Sequence, residues 1–108
     1  MLKINQYYEH GVKFDYTATA PVGYHDIVVS GALVGIATKS AVAGETIACD
    51  AVGVYALKKK AGEAINQGVK VYVVDGEITA TKGSTGVDAG ITWAKALADD
   101  ETVLVKIG

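Results

Sequence analysis

At 108 residues the chain has the size of one domain, expected to bury about 60–70% of its unfolded surface, enough for one core without staples. The net charge is −2 and all ten basic residues are lysines, so no guanidinium offers the bidentate contacts of specific nucleic-acid recognition, and nucleic acid is not an expected partner. Cys49 stands alone, which excludes an internal disulfide; no apolar run reaches the roughly 18 residues of a membrane-spanning helix, and the start MLKINQYYEH lacks the apolar core of a signal peptide, so a soluble protein made in the cytoplasm is expected.

Residues 1–10 carry the large side chains Leu2, Ile4, Tyr7 and Tyr8 without a turn signal or a sustained period. They read as an N-terminal arm, with an ordinary first strand of the same barrel as the alternative, ahead of a single domain over 11–108, and those four residues are the candidate partner contacts. From Val12 a strand pattern sets in, with Val12, Phe14, Tyr16 and Ala18 alternating against Lys13, Asp15, Thr17 and Thr19 until Ala20-Pro21-Val22-Gly23 stops it. His25–Val29 and Ala32–Thr38 follow as short strands separated by Ser30-Gly31.

Ala43-Gly44-Glu45 turns the chain into Thr46–Leu57, where Ile47, Cys49 and Ala51 alternate with Thr46, Ala48 and Asp50 as far as Gly53. Beyond Gly53 the run Val54-Tyr55-Ala56-Leu57 is apolar on both sides. A bulge that switches the inward face at the glycine would produce this, and so would a strand covered on both sides. Lys58-Lys59-Lys60 reads as a solubilising edge. Ala61, Ala64 and Ile65 follow helical spacing ahead of Gly68, which predicts one short helix over 61–67, packed as a plug on one end of the sheet.

The sharpest local signal is Asp75-Gly76 between two β-prone runs, because a two-residue type I′ turn needs φ > 0 at both central positions. That turn sets Val74 opposite Glu77, Val73 opposite Ile78, Tyr72 opposite Thr79 and Val71 opposite Ala80. Val71, Val73, Ile78 and Ala80 then share the inward face. Val87–Leu97 alternates Val87, Ala89, Ile91 and Trp93 against Asp88, Gly90, Thr92 and Ala94, which places Trp93 as an anchor of the interior. Thr102–Ile107 closes the chain with Val103, Val105 and Ile107 inward. The predicted fold is therefore mainly β: seven to nine short, mostly antiparallel strands in a small barrel or sandwich, with one short helix.

No catalytic or metal constellation emerges from these residues. Gly35-Ile36-Ala37-Thr38-Lys39-Ser40 has Thr where a phosphate loop needs its last glycine. Cys49 with His10 or His25 would be a thiol–imidazole pair, but Cys49 sits mid-strand among apolar neighbours that silence a thiol. His25 and Asp26 are adjacent in an extended run and point to opposite faces. Asp99-Asp100-Glu101 lacks the alternating ligand spacing of a calcium loop. No catalytic residue, cofactor or metal is expected. The six tyrosines are amphipathic and of a type common at interfaces, but some of them belong to the core, and the residues by themselves define no more than a soluble, mainly β domain.

The order of these pieces resembles a known family. Thr19-Ala20-Pro21, Val34-Gly35-Ile36-Ala37, Ala43-Gly44-Glu45, Gly53-Val54-Tyr55-Ala56-Leu57, Ala61-Gly62, Gly68 through Gly76 and Val103-Leu104-Val105-Lys106-Ile107 are similar, in that order, to bacteriophage and prophage head decoration (capsid cement) proteins. The resemblance implies a β-barrel or β-tulip domain without enzymatic activity, which binds the major capsid protein on the outside of an assembled head and stabilises it, often as a homotrimer. It also implies location in the virion. A small ligand-binding barrel and a thiol or histidine hydrolase are the alternatives.

Overall fold

The computed structural model describes residues 11–108, and the residues ahead of Gly11, with Leu2, Ile4, Tyr7 and Tyr8 among them, lie outside the described part. Nine strands are present there: β1 (Lys13–Thr17), β2 (Ile27–Ser30), β3 (Leu33–Ala37), β4 (Thr46–Asp50), β5 (Gly53–Lys58), β6 (Lys70–Val74), β7 (Glu77–Thr79), β8 (Val87–Thr92) and β9 (Thr102–Ile107). They form a four-stranded sheet in the order β1-β4-β3-β2 and a five-stranded sheet in the order β5-β9-β8-β6-β7, with every strand pair antiparallel. The mainly β fold expected from the sequence is what the chain adopts.

The β6–β7 hairpin has the expected register, Val74 to Glu77, Val73 to Ile78 and Tyr72 to Thr79. Asp75 (φ 51°) and Gly76 (φ 77°) both lie in the left-handed region, as a type I′ turn requires. Pairing stops at Thr79 and does not reach Ala80. There the Thr79 hydroxyl donates to Glu63 Oε2 (3.2 Å) and the Ala80 amide to Glu63 Oε1 (3.2 Å), so Thr79 is buried by a polar contact while Ala80 is exposed.

No helix forms over 61–67. Ile65 instead pairs with Ala96 through two backbone hydrogen bonds (3.0 and 2.8 Å). The cause lies in Lys59, which is not part of a solvated edge: it is only 3% exposed, and its ammonium donates to the carbonyls of Lys60 (2.9 Å), Glu63 and Ala98 (3.3 Å). The Glu63 carbonyl, which lies inside the segment, and the Lys60 carbonyl just ahead of it are thus committed to the lysine, and so short a segment has little helical stability of its own.

The run 46–57 divides between the two sheets. β4 ends at Asp50, and after Ala51 and Val52 the chain begins β5 in the other sheet. The inward positions keep their parity across this link, Ile47 and Cys49 before it and Tyr55 and Leu57 after it, so Gly53 does not switch the face. The switch occurs in β8. Tyr72 pairs with Asp88 but Val71 pairs with Gly90, leaving Ala89 as the extra residue of a β-bulge. Beyond it the inward residue is Thr92, whose hydroxyl donates to Asn66 O (2.6 Å) and accepts from the Val69 amide (2.9 Å). Ile91 and Trp93 are turned outward, and Trp93 is 54% exposed instead of anchoring the interior.

Two apolar clusters result. Leu57, Ile65, Val71, Val73, Ile78, Ala89, Val103, Val105 and Ile107 fill the concave side of the five-stranded sheet, together with Val34 and Ile36 of β3. Ala18, Val28, Ala37, Ala41, Ile47 and Cys49 form the second, against Phe14, Tyr16 and Val22. β3 thus serves both, with Val34 and Ile36 facing one cluster and Ala37 the other, as alternation along a strand dictates. The five-stranded sheet curls until its end strands approach: Lys59, next after β5, bridges Ile78 of β7, the Lys60 amide donates to Ile78 O (3.0 Å), and Lys58 pairs with Glu77 (3.4 Å).

Candidate docking surface

The residues with latent chemistry are kept apart or buried. Cys49 has no exposed surface, and its burial, with the neighbouring Asp50 carboxylate as a smaller cause, pushes its thiol up from the ordinary value. His25 is exposed, with a left-handed backbone (φ 70°), and stacks on Tyr24 at 3.6 Å between ring centroids. His10 lies outside the described residues. Asp26 accepts from the Gly23 amide (2.8 Å), which makes it a turn residue. Asp100 does the same for the Leu97 amide (2.8 Å). Among the described residues no group of acidic, histidine or cysteine side chains is placed to hold a metal ion, and no helix is long and apolar enough to cross a membrane.

At the junction of the sheets, Asp50 forms an ion pair with Lys13 and accepts from the Tyr55 hydroxyl (3.1 Å), which ties β4 to β5 across the link. The Lys13 hydrogen bond is the main influence that holds the Asp50 carboxyl below its ordinary value, against partial desolvation and with help from Tyr55. Tyr55 is shifted up, by burial first and by the adjacent Asp50 second. This cluster is structural: each polar group is paired with another of the protein's own.

The convex face of the five-stranded sheet is different. Across β5, β9, β8 and β6 one row reads Val54, Lys106, Ile91, Lys70, and beside it Ala56 pairs with Leu104. The Trp93 amide donates to Leu104 O (2.8 Å), which sets the indole beside that second row. Val54, Ile91, Trp93 and Leu104 are all exposed, although three adjacent strands present them together. Their backbones are fixed by the ladders, and the Gln67 amide holds Trp93 O (3.1 Å) in a shallow groove with Gly68, Ile91, Thr92 and Lys106. Clustered apolar side chains of this kind on a sheet make it a candidate docking surface, and Trp is among the residues enriched in interface anchors. Sequence reasoning missed the surface because it carried a period of two straight through the bulge; Gly90 inside a strand pattern was the available signal.

Among the described residues these features define a β module with an exposed apolar sheet face, its thiol buried and Asp26, Asp50 and Asp100 hydrogen-bonded within its own structure. A family model described as phage cement protein matches residues 8–107, nearly the whole chain, and the protein belongs to that family. No curated protein and no solved structure matches it. Membership points to a structural, non-enzymatic role on a phage capsid.

Proposed function

We propose that the protein binds the major capsid protein on the outer surface of an assembled phage head and stabilises the shell, acting there as a homotrimer. The observation that carries this reading is the convex apolar face of Val54, Ile91, Trp93 and Leu104 on a chain matched over residues 8–107 by the cement family. Three-fold attachment would convert modest single-subunit contacts into tight binding through effective concentration. Leu2, Ile4, Tyr7 and Tyr8 supply further contacts to neighbouring subunits on the head. The ligand-binding alternative loses support because Leu57, Val71, Val73, Val103 and Val105 fill the concave side of the sheet that would have to hold a ligand.

Co-sedimentation with heads lacking their decoration protein tests the proposal. The protein is expected to pellet with heads in multiples of three and to raise the temperature at which they rupture. Trp93→Ala should weaken binding about tenfold or more, the loss of roughly 1.4 kcal/mol or above expected for an aromatic anchor. Undiminished binding by Trp93→Ala would remove this face from the contact, and monomeric occupancy would remove the trimer.

A further inference from the structure

We infer that the capsid surface met by the convex face carries a carboxylate opposite Lys106, so that the partner is acidic at one point within an otherwise apolar patch. The inference rests on the docking reading above, and its test separates a failure of the one from a failure of the other.

The strands of the five-stranded sheet hold three lysines, Lys58 in β5, Lys70 in β6 and Lys106 in β9. Two of them are neutralised by the sheet itself. Lys58 pairs with Glu77 (3.4 Å), and Lys70 shares Asp88 (3.8 Å) with Lys82 (3.7 Å). Lys106 differs: it is exposed and meets no side-chain carboxylate among the described residues, and its ammonium donates to the Gly108 carbonyl at a long 3.3 Å. Its cross-strand neighbours are Val54 on β5 and Ile91 on β8, each about 5 Å away at ordinary strand spacing, with Leu104 two residues back on the same face. Among the described residues, then, the sheet leaves uncompensated the one strand lysine that stands inside its apolar patch.

Docking decides what that charge requires. A partner that covers Val54, Ile91, Trp93 and Leu104 also strips water from the Lys106 ammonium, which is costly unless an opposite charge takes the water's place. A purely apolar partner would leave the ammonium covered and unpaired. A second copy stacked face to face about this row would set two ammonium groups against each other. A carboxylate satisfies the group, fixes the register of the contact and selects against wrong partners, which apolar contact alone does weakly. The lysine stem meanwhile adds apolar cover beside Val54 and Ile91.

Binding to heads lacking their decoration protein is measured for the wild type, Trp93→Ala, Lys106→Met and Lys106→Glu. Lys106→Met keeps the apolar stem and removes the charge, and because the residue is exposed its thermal melt should match the wild type's. Lys106→Met should weaken binding about tenfold or more, and Lys106→Glu further still. The affinity of Lys106→Met should also fall less with added salt than that of the wild type. Binding by Lys106→Met that equals or exceeds the wild type's, with Trp93→Ala weakened, would overturn the carboxylate and leave the docking face standing. Loss confined to the two Lys106 variants would keep the carboxylate and remove Trp93 from the contact. If no variant weakens binding, both readings fall.

Discussion

Gly76 and Gly90 show two reasons for a glycine, and they differ in cost. Gly76 lies at φ 77° with nothing within 4 Å of a built Cβ, so only backbone strain opposes substitution. Gly76→Val is expected to destabilise by about 1 kcal/mol or a little more. At Gly90 a Cβ would come within 2.0 Å of the Lys106 carbonyl oxygen, on the strand that β8 pairs with. Gly90→Ala should therefore cost about 3 kcal/mol or more, in spite of its smaller side chain, since backbone cannot yield as a side chain does. Denaturant midpoints of the two variants decide the order, and equal shifts would contradict the close approach at Gly90.

Asp50 sets a pH dependence with a definite sign. Its folded pKa lies below the ordinary 3.8, so the stability it contributes is complete above that value and is lost as pH falls toward the folded pKa. Tyr55 acts at the other limit: its folded pKa is raised above 10.0, so its contribution is present below 10.0 and lost as pH rises through the folded value. Thermal melts of Asp50→Asn should have a flatter acid limb than the wild type below about pH 4. Tyr55→Phe should flatten the alkaline limb instead. Unchanged limbs would show that the Lys13–Asp50–Tyr55 cluster adds nothing to stability.

The elements were legible in the sequence wherever turn chemistry and side-chain period agreed. β6–β7 is such a case, with Asp75-Gly76 fixing the register that alternation also demanded. β9 is another, its Val103, Val105 and Ile107 inward as read. Legibility failed where one residue acted at long range. The single extra residue at Ala89 turned Ile91 and Trp93 outward, and the candidate docking face with them. A lysine inside a triplet looks solvated, yet Lys59 is enclosed by carbonyls from 60, 63 and 98, one of them inside the segment that spacing alone would make helical and one just ahead of it. Lys59→Ala is expected to destabilise by about 3 kcal/mol, because it opens a cavity and leaves these carbonyls unpaired. Lys58→Ala, which loses an exposed ion pair, should cost less than about 1 kcal/mol. Similar urea midpoints for the two would refute the distinction.

At the scale of the whole molecule, the curled five-stranded sheet has a consequence for crowding. Its end strands β5 and β7 approach each other at the single Lys59–Ile78 bridge just past β5, so part of their outer flank is shielded, whereas β1 and β2 are the end strands of the other sheet. An unpaired flank is a template for uncontrolled ladder growth between copies, and a closed one is not. On a shell where many identical subunits stand shoulder to shoulder, the half bearing the apolar face then offers neighbours a shorter flank to zip onto than an uncurled sheet would. Adhesion there falls more to side chains, which can choose a partner, because the curl turns the ends of the sheet toward each other and leaves less open flank for a strand to join.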